Sequence, residues 1–293
     1  MANLKEIRTR LNSVKSTKQI TAAMKMVAAS KLRKAQDKIV RLRPYAGKLH
    51  EILLGISASV EEDDNSTSYS RISEPVNILL IVVTSNRGLC GAFNANVLKE
   101  TIRIRNEKYP EQNKKGTIKA MVIGKKAADY FKKNKIEVVE DHSNVFDDLT
   151  FDNVSVIATK VMDSFLRGDY DRIEFVYNQF KNAAIQILTN ETFLPVENDN
   201  DDNSAISGEY IYEPTKEEII EELIPKTLKV QFYKAILDSY VAEHGARMTA
   251  MHMATDNATD IIRDLTLEYN KARQASITNQ ILEVVSGAEA LKG

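Results

Sequence analysis

The ten residues best suited to chemistry form one string, Thr84-Ser85-Asn86-Arg87-Gly88-Leu89-Cys90-Gly91-Ala92-Phe93. They follow a continuous apolar run, Val76 to Val83, and precede a stretch with helical spacing from about Ala92 to Lys108. A glycine turn between a buried strand and a helix is where phosphate-binding loops sit, because the first helical amides can donate to an anion. Here the spacing is not G-x-G-x-x-G, no Gly-Lys-Ser/Thr follows, and Gly124-Lys125 lacks the earlier glycine that a phosphate loop needs. The reading is therefore a tight strand-to-helix turn. The alternative is a nucleotide-binding or transferase site centred on Gly88 and Gly91. Cys90 would need a distant base to act as a nucleophile, since no histidine is near it in sequence, and a buried structural thiol is expected.

The four histidines are His50, His142, His244 and His252. None has an H-E-x-x-H spacing, and His244 and His252 lie two helical turns apart, too far to share an ion. They read as helix-surface or seam residues, and neither a metal nor a cofactor is expected. With one cysteine in 293 residues, no internal disulfide can form and a reducing compartment is indicated. No run of about 18 apolar residues suggests a membrane span.

Charge is unevenly placed. Met1 to Lys48 holds thirteen Lys or Arg against Glu6 and Asp37, yet the whole chain has a net charge of −1, so the remainder is strongly acidic. Much of that acidity lies in Glu61 to Asp64 and in Glu197 to Glu222. A basic arm can bind nucleic acid, but no aromatic platform appears before Tyr45. Docking to an acidic protein surface explains the same charges.

Long helices must carry that arm. A seven-residue register runs unbroken from Leu4 to Ile56. One set is Leu4, Leu11, Lys18, Lys25, Leu32, Ile39, Ala46 and Leu53; the other is Ile7, Val14, Thr21, Ala28, Ala35, Leu42, Leu49 and Ile56. Such spacing makes a coiled-coil seam, and at ~1.5 Å per residue the helix is on the order of 80 Å long. Pro44 is expected to kink or break it. The seam is polar at Lys18, Thr21 and Lys25, so either the partner helix diverges there or, the favoured reading, that face meets another protein. From Lys226 to Ser286 there is no proline and one glycine, Gly245, and Ala242, Ala246, Ala250, Ala254 and Ala258 line one helix face. Two long seamed helices at opposite ends of the chain suggest an antiparallel pair.

Between them the texture alternates. Strands are expected at Val76 to Val83, Ile118 to Ile123, Ile136 to Val139 and Arg172 to Phe180. Helices are expected at Ala92 to Lys108, Lys125 to Asn134 and Asp152 to Leu166. This order implies an α/β layer with a largely parallel sheet. The polar stretches Glu61 to Ser70 and Glu197 to Ser207 read as flexible connectors.

Four groups of residues carry a family resemblance. They are Ser16 to Thr21 leading into Met24 to Lys34; Ser85 to Phe93; Arg247 to Met251 leading into Ala254 to Ala258; and Tyr269 to Thr278 with Glu283 to Ala288. In this order the chain closely resembles the gamma subunit of F-type ATP synthases. The resemblance implies an antiparallel coiled coil of the N- and C-terminal helices (1–58 and 208–293) and an inserted Rossmann-like α/β domain (75–195). It implies a central rotary shaft that couples proton flow through a c-subunit ring to the conformational cycle of catalytic beta subunits. The shaft would be non-catalytic and present in one copy, at the cytoplasmic face of a bacterial inner membrane. Implied partners are the alpha and beta subunits, the epsilon subunit and the c-ring. Arg273 and Gln274 match the family pair that hydrogen-bonds a beta-subunit loop. Met24 and Lys25 match the part facing an acidic lever on beta, with Lys31, Arg33 and Lys34 extending the basic face. Arg247 matches the opposed residue on the second helix, and the tip from about Ile277 onward would turn in an apolar sleeve. Having a single cysteine, this chain lacks the dithiol switch of chloroplast relatives.

Replacing Ala254 by Pro removes a hydrogen bond from the middle of the second long helix. The expected outcome is loss of co-purification with alpha and beta subunits, and normal assembly would argue against a continuous helix there.

Overall fold

A computed structural model describes residues 4–57, 69, 71, 74–196 and 216–290. The acidic connectors fall almost entirely outside the described residues. The chain divides into two compact units: Met1–Ala28 with Met248–Gly293, and Ala29–Arg247. Helix α1 (Leu4–Ser57) and helix α6 (Lys216–Ala290) each contribute to both.

In the first unit the two helices pair antiparallel. Ile7 and Leu11 of α1 bury against Leu265 of α6, with Val14, Ile262, Tyr269 and Ala272 packed around them, while further along α1 Thr21 meets Thr255. Every seam position of α1 whose burial is described, in either unit, is buried or half-buried. Helical propensity alone leaves so long an element marginal in water, so the buried stripe is what stabilises it. The alanine stripe behaves alike: Ala242, Ala246 and Ala258 are buried and Ala250 and Ala254 half-buried.

The expected break at Pro44 does not occur. The helix continues through Pro44 to Ser57, with Ile39 and Leu49 buried on either side of it. Proline interrupts one backbone bond at a cost of about 3 kcal/mol, and burial of flanking side chains worth roughly 1.5–3 kcal/mol each offsets that. Helix α6 likewise begins ahead of the proline-free stretch that opens at Lys226, and it holds Pro225.

The second unit contains a five-stranded sheet in the order β3-β2-β1-β4-β5. Strands β1 (Ile78–Val83), β2 (Ile118–Ile123), β3 (Val138–Asp141) and β4 (Arg172–Phe180) are parallel; β5 (Gln186–Leu194) runs antiparallel beside β4. Helices α2 (Phe93–Arg103), α3 (Pro110–Lys115), α4 (Lys125–Lys133) and α5 (Phe151–Leu166) complete the layer. Strand β1 is buried at all six positions, as a central parallel strand covered on both faces must be. Ile78, Leu80, Val82, Val122 and Val176 pack with Val97, Ala127 and Phe131 of α2 and α4. On the opposite face Phe175 and Phe193 meet Phe232 of α6 at ring separations of 4.9 and 5.4 Å.

Beyond α2 the chain takes one π-helical turn, Ile104–Lys108. The wider turn brings Lys108 and Tyr109 onto the fully buried Glu174 of β4. Lys108 Nζ donates at 2.6 Å, Arg172 Nε at 2.9 Å, and the Tyr109 hydroxyl donates to the same oxygen. Burial alone would raise the Glu174 carboxyl, but the hydrogen bonds from Lys108 and Tyr109 outweigh it and hold the group below its usual range.

Gly124, which joins β2 to α4, has φ +127°, and a Cβ there would lie 2.1 Å from the Thr84 carbonyl oxygen. Gly124→Ala therefore meets rigid backbone as well as an unfavourable dihedral. It should destabilise the α/β unit by at least ~3 kcal/mol, read as a lower urea midpoint; an unchanged midpoint would show that the β1–β2 contact yields easily.

Candidate functional site

In a doubly wound sheet, ligands bind at the carboxyl ends of the strands where the strand order reverses. Here that point lies between β1 and β4, beside the Thr84–Phe93 string. Around that turn the chain's own groups bond one another. The backbone N–H of Lys125 donates to Asn86 Oδ1 at 3.0 Å, that of Lys126 to the Ser85 carbonyl at 3.2 Å, and that of Ala127 to Thr84 Oγ1 at 3.0 Å. The first amides of α4, the helix that follows β2, are thus engaged by the turn after β1. Ser85 N–H donates to Asn94 Oδ1 at 2.9 Å, and Asn178 of β4 donates to the Phe93 carbonyl at 3.0 Å. Leu89 and Gly91 take positive φ, 64° and 60°, as a tight turn requires.

Helix α6 closes over this turn. Arg247 Nη2 donates to the carbonyls of Arg87, at 3.0 Å, and Gly88, at 3.3 Å, while Nη1 pairs with Glu243 one helical turn back. A planar guanidinium suits this because its fixed fork reaches two carbonyls and a carboxylate at once. Two residues before Arg247, Gly245 lies so close to the β4–β5 turn that a Cβ would approach the Ala183 backbone to 3.2 Å. Arg43 of α1 donates to the Phe180 carbonyl and to the fully buried Asp238, each at 2.8 Å. Both long helices are thereby tied to the strand ends, within one compact unit.

Cys90 is buried at 1% exposure, accepts from Asn94 Nδ2 at 3.2 Å, and burial pushes its thiol up. It is the structural thiol that the sequence indicated. His142 lies 2.5 Å from Glu140 and His252 3.3 Å from Asp256. The His50 side chain lies outside the described residues. His244 is different: it is buried, its ring meets Tyr240 edge-on at 4.5 Å, and neither ring nitrogen has a hydrogen-bond partner among the described residues. Burial, then the charges of Arg247 and Lys31, push its pKa down to about 3.

The sequence-predicted contact residues separate into different settings. Met24 and Lys25 are half-buried on α1 in the first unit, where Arg273 and Gln274 of α6 are exposed. Lys31, Arg33 and Lys34 are exposed in the second unit, where Arg247 is buried in the clamp just described. From Arg273 to Ala290 every residue of α6 is exposed, including Ile277, Ile281, Leu282, Val284 and Val285. An isolated helix showing that much apolar surface needs a partner. The first unit also exposes Ile20, Met26, Val27, Met253 and Leu267, between 57% and 67%. Sequence reasoning passed over these five. The signal was present, since on α1 Ile20, Met26 and Val27 are apolar residues outside the seam positions. Among the described residues no cluster of His, Cys, Asp or Glu suits a metal, and no helix is long and apolar enough to cross a membrane.

His244 makes stability depend on pH with a defined sign. Its folded pKa lies below the ordinary value near 6.5, so its contribution is complete above pH ~6.5. It is lost as pH falls toward ~3, because the unfolded chain takes up a proton that the folded chain refuses. The buried Asp238 and Glu243 are shifted up by burial and act in the opposite sense, so the test is a difference between two proteins. Between pH 7 and pH 5 the parent should lose about 2 kcal/mol relative to His244→Leu; parallel stability curves from urea melts would sink this assignment.

A family model described as ATP synthase matches residues 3–291 of the chain. The ATP synthase gamma chain of Flavobacterium psychrophilum is 55% identical, with 100% of both chains covered. That of Cytophaga hutchinsonii is 48% identical over 99% of both. Among solved structures, the fold is similar to a chain of the Tetrahymena thermophila mitochondrial ATP synthase central stalk and c-ring. The TM-score is 0.59 at 24% identity, over 80% of this chain and 99% of that one. It is also similar to a chain of the Euglena gracilis mitochondrial ATP synthase in its OSCP/F1/c-ring assembly, with a TM-score of 0.68 at 20% identity, over 98% of this chain and 94% of that one.

Proposed function

The chain belongs to the ATP synthase gamma-chain family, and from that premise we propose that it is the central rotary shaft of an F-type enzyme and carries out no bond chemistry itself. Ion flow, with protons as the expected ion, turns the foot of the complex. The turning helices then drive the catalytic beta subunits through their nucleotide-binding states, making ATP or, in reverse, hydrolysing it. The partners are the alpha and beta subunits of the hexamer, the epsilon subunit and the c-ring, with one copy of this chain per complex. It works as a peripheral subunit at the cytoplasmic face of the bacterial inner membrane.

The observation that carries this reading is the first unit. Its two helices bury a continuous seam against each other, yet present exposed apolar and basic residues around the outside, and α6 runs on alone past Ala272. Such a surface suits a rod held inside other subunits. Met24 and Lys25 would face an acidic lever on beta, and Lys31, Arg33 and Lys34 would extend the basic face. Arg273 and Gln274 would hydrogen-bond a beta loop, and the apolar tip would turn within a sleeve. Many exposed charge contacts of about 0–1 kcal/mol each let a shaft pass every angle without locking. Arg247 acts from within, fixing α6 to the α/β unit through the Arg87 and Gly88 carbonyls.

Reconstitution of the chain with alpha and beta subunits, with a bead attached to the α/β unit, tests the proposal: ATP should drive unidirectional rotation. A chain that stays monomeric beside active alpha and beta subunits would refute it. Arg273→Ala removes an exposed charge-assisted donor worth roughly 1.5–3 kcal/mol once docked. It should lower ATP synthesis in proteoliposomes at least about fivefold with little change in the Tm of the free chain; a large fall in Tm would make Arg273 a structural residue.

A further inference from the structure

Two helices of the α/β unit close with the same backbone motif but differ at its critical position. At the end of α3 the Thr117 N–H donates to the Gln112 carbonyl at 3.0 Å and the Gly116 N–H to the Asn113 carbonyl at 3.3 Å. At the end of α4 the Ile136 N–H donates to the Phe131 carbonyl at 2.9 Å and the Lys135 N–H to the Lys132 carbonyl at 3.4 Å. This closure needs one left-handed residue, for which glycine is the usual choice. Gly116 supplies it at φ +73°, whereas Lys135 takes φ +54°. A lysine there bears a steric cost that glycine avoids. The helix dipole favours lysine in a last turn, but it does not require one at the left-handed position. Strain kept at one of two equivalent positions points to a use for the side chain.

Residues 110–137 hold eight lysines and three acids. Lys114 and Lys115 close α3, Lys132 and Lys133 close α4, and these four and Lys135 are all exposed. Among the described residues none of the five pairs with a carboxylate. They gather at one end of the sheet. Lys115 stands three residues before Ile118 and Lys135 three before Val138, at the starts of the parallel neighbours β2 and β3. The long helix leaves by the other end. Helix α6 meets Phe175 and Phe193 through Phe232, then Phe180 and Ala183 at Gly245, before Arg247 holds the turn after β1. No large apolar side chain is exposed between Lys114 and Glu137, so the apolar core of a specific protein interface is missing there. Ammonium groups without an apolar anchor suit a fluid anionic surface, which attracts each lysine alike and offers the same potential at every angle of rotation. We infer that the strand-start end of the α/β unit is a docking surface for anionic phospholipid headgroups. Only the nearness of a membrane rests on the proposed function, in which the departing helices enter the hexamer and the opposite end looks to the membrane; affinity for vesicles is a property of this surface alone.

Co-sedimentation of the full chain with vesicles of equal parts phosphatidylglycerol and phosphatidylcholine is the test. The parent should bind them, release them as salt rises, and bind pure phosphatidylcholine far less. Lys114→Gln, Lys115→Gln, Lys132→Gln, Lys133→Gln and Lys135→Gln together should weaken binding at least about thirtyfold, since each lysine near a charged surface contributes about fivefold. Lys5→Gln, Arg8→Gln, Arg10→Gln, Lys15→Gln and Lys18→Gln together should weaken it less, because that arm shares its unit with Asp256, Asp260, Asp264 and Glu268 of α6. Lys135→Gly should raise Tm by about 2–4 °C and yet weaken binding about fivefold, a loss that unfolding does not produce. A chain with all five sheet-end lysines changed that binds like the parent overturns the inference. So does an arm variant that loses as much, a Lys135→Gly chain with unchanged binding, or a parent that binds both kinds of vesicle alike, which would leave these lysines to an acidic protein. Bead rotation reads the proposed function separately, so either can fail alone.

Discussion

A helix of several dozen residues exists in water only while one of its faces is dry, and here that condition is met by two segments from opposite ends of the chain. Backbone hydrogen bonds within α1 or α6 exchange for bonds to water with small net gain. What remains is the stripe Ile7, Leu11, Ala28, Leu32, Ala35, Ile39 and Leu49, all below one-tenth exposure. At roughly 25 cal/mol per Å² of apolar surface removed from water, such a stripe supplies the stability that propensity does not. It also carries α1 through Pro44, where local chemistry alone would end a helix.

The same constraint organises the α/β unit. Its strands end in loops with unsatisfied carbonyls and amides, and a ligand is the common way to satisfy them. In this chain the satisfying groups are its own: Thr84 and Asn86 from the turn after β1, Asn94 from the start of α2, Arg247 from α6 and Arg43 from α1. A fold whose relatives elsewhere place a nucleotide at the strand ends thus becomes an anchorage for long helices. The buried carboxylates follow from this. Asp238 and Glu243 are tolerated in the interior because Arg43 and Arg247 reach them, and removing either arginine would leave a buried acid unmatched.

Much of this was legible in the sequence, and what was legible is local. The seven-residue register from Leu4 onward gave the buried face of α1 position by position, because side chains three, four and seven apart share a helix face whatever lies opposite. The apolar runs at Val76 to Val83 and Ile118 to Ile123, and the stretch Arg172 to Phe180, marked three strands at or near their true ends. Cys90 was rightly placed in the interior. The string after β1 forms the tight strand-to-helix turn that its glycines indicated.

What the sequence did not determine depended on groups far apart along the chain. Strand β5, Gln186 to Leu194, is half polar and has β4 as its one sheet neighbour, so its amino acids carry little strand signal of their own. Arg247 meets carbonyls 160 and 159 residues away, and Thr21 meets a hydroxyl 234 residues away. No spacing rule reaches across such distances, and both residues looked outward-facing from sequence alone. Periodicity states which face of an element is dry; only the packed structure decides which element dries it, and which polar groups meet there.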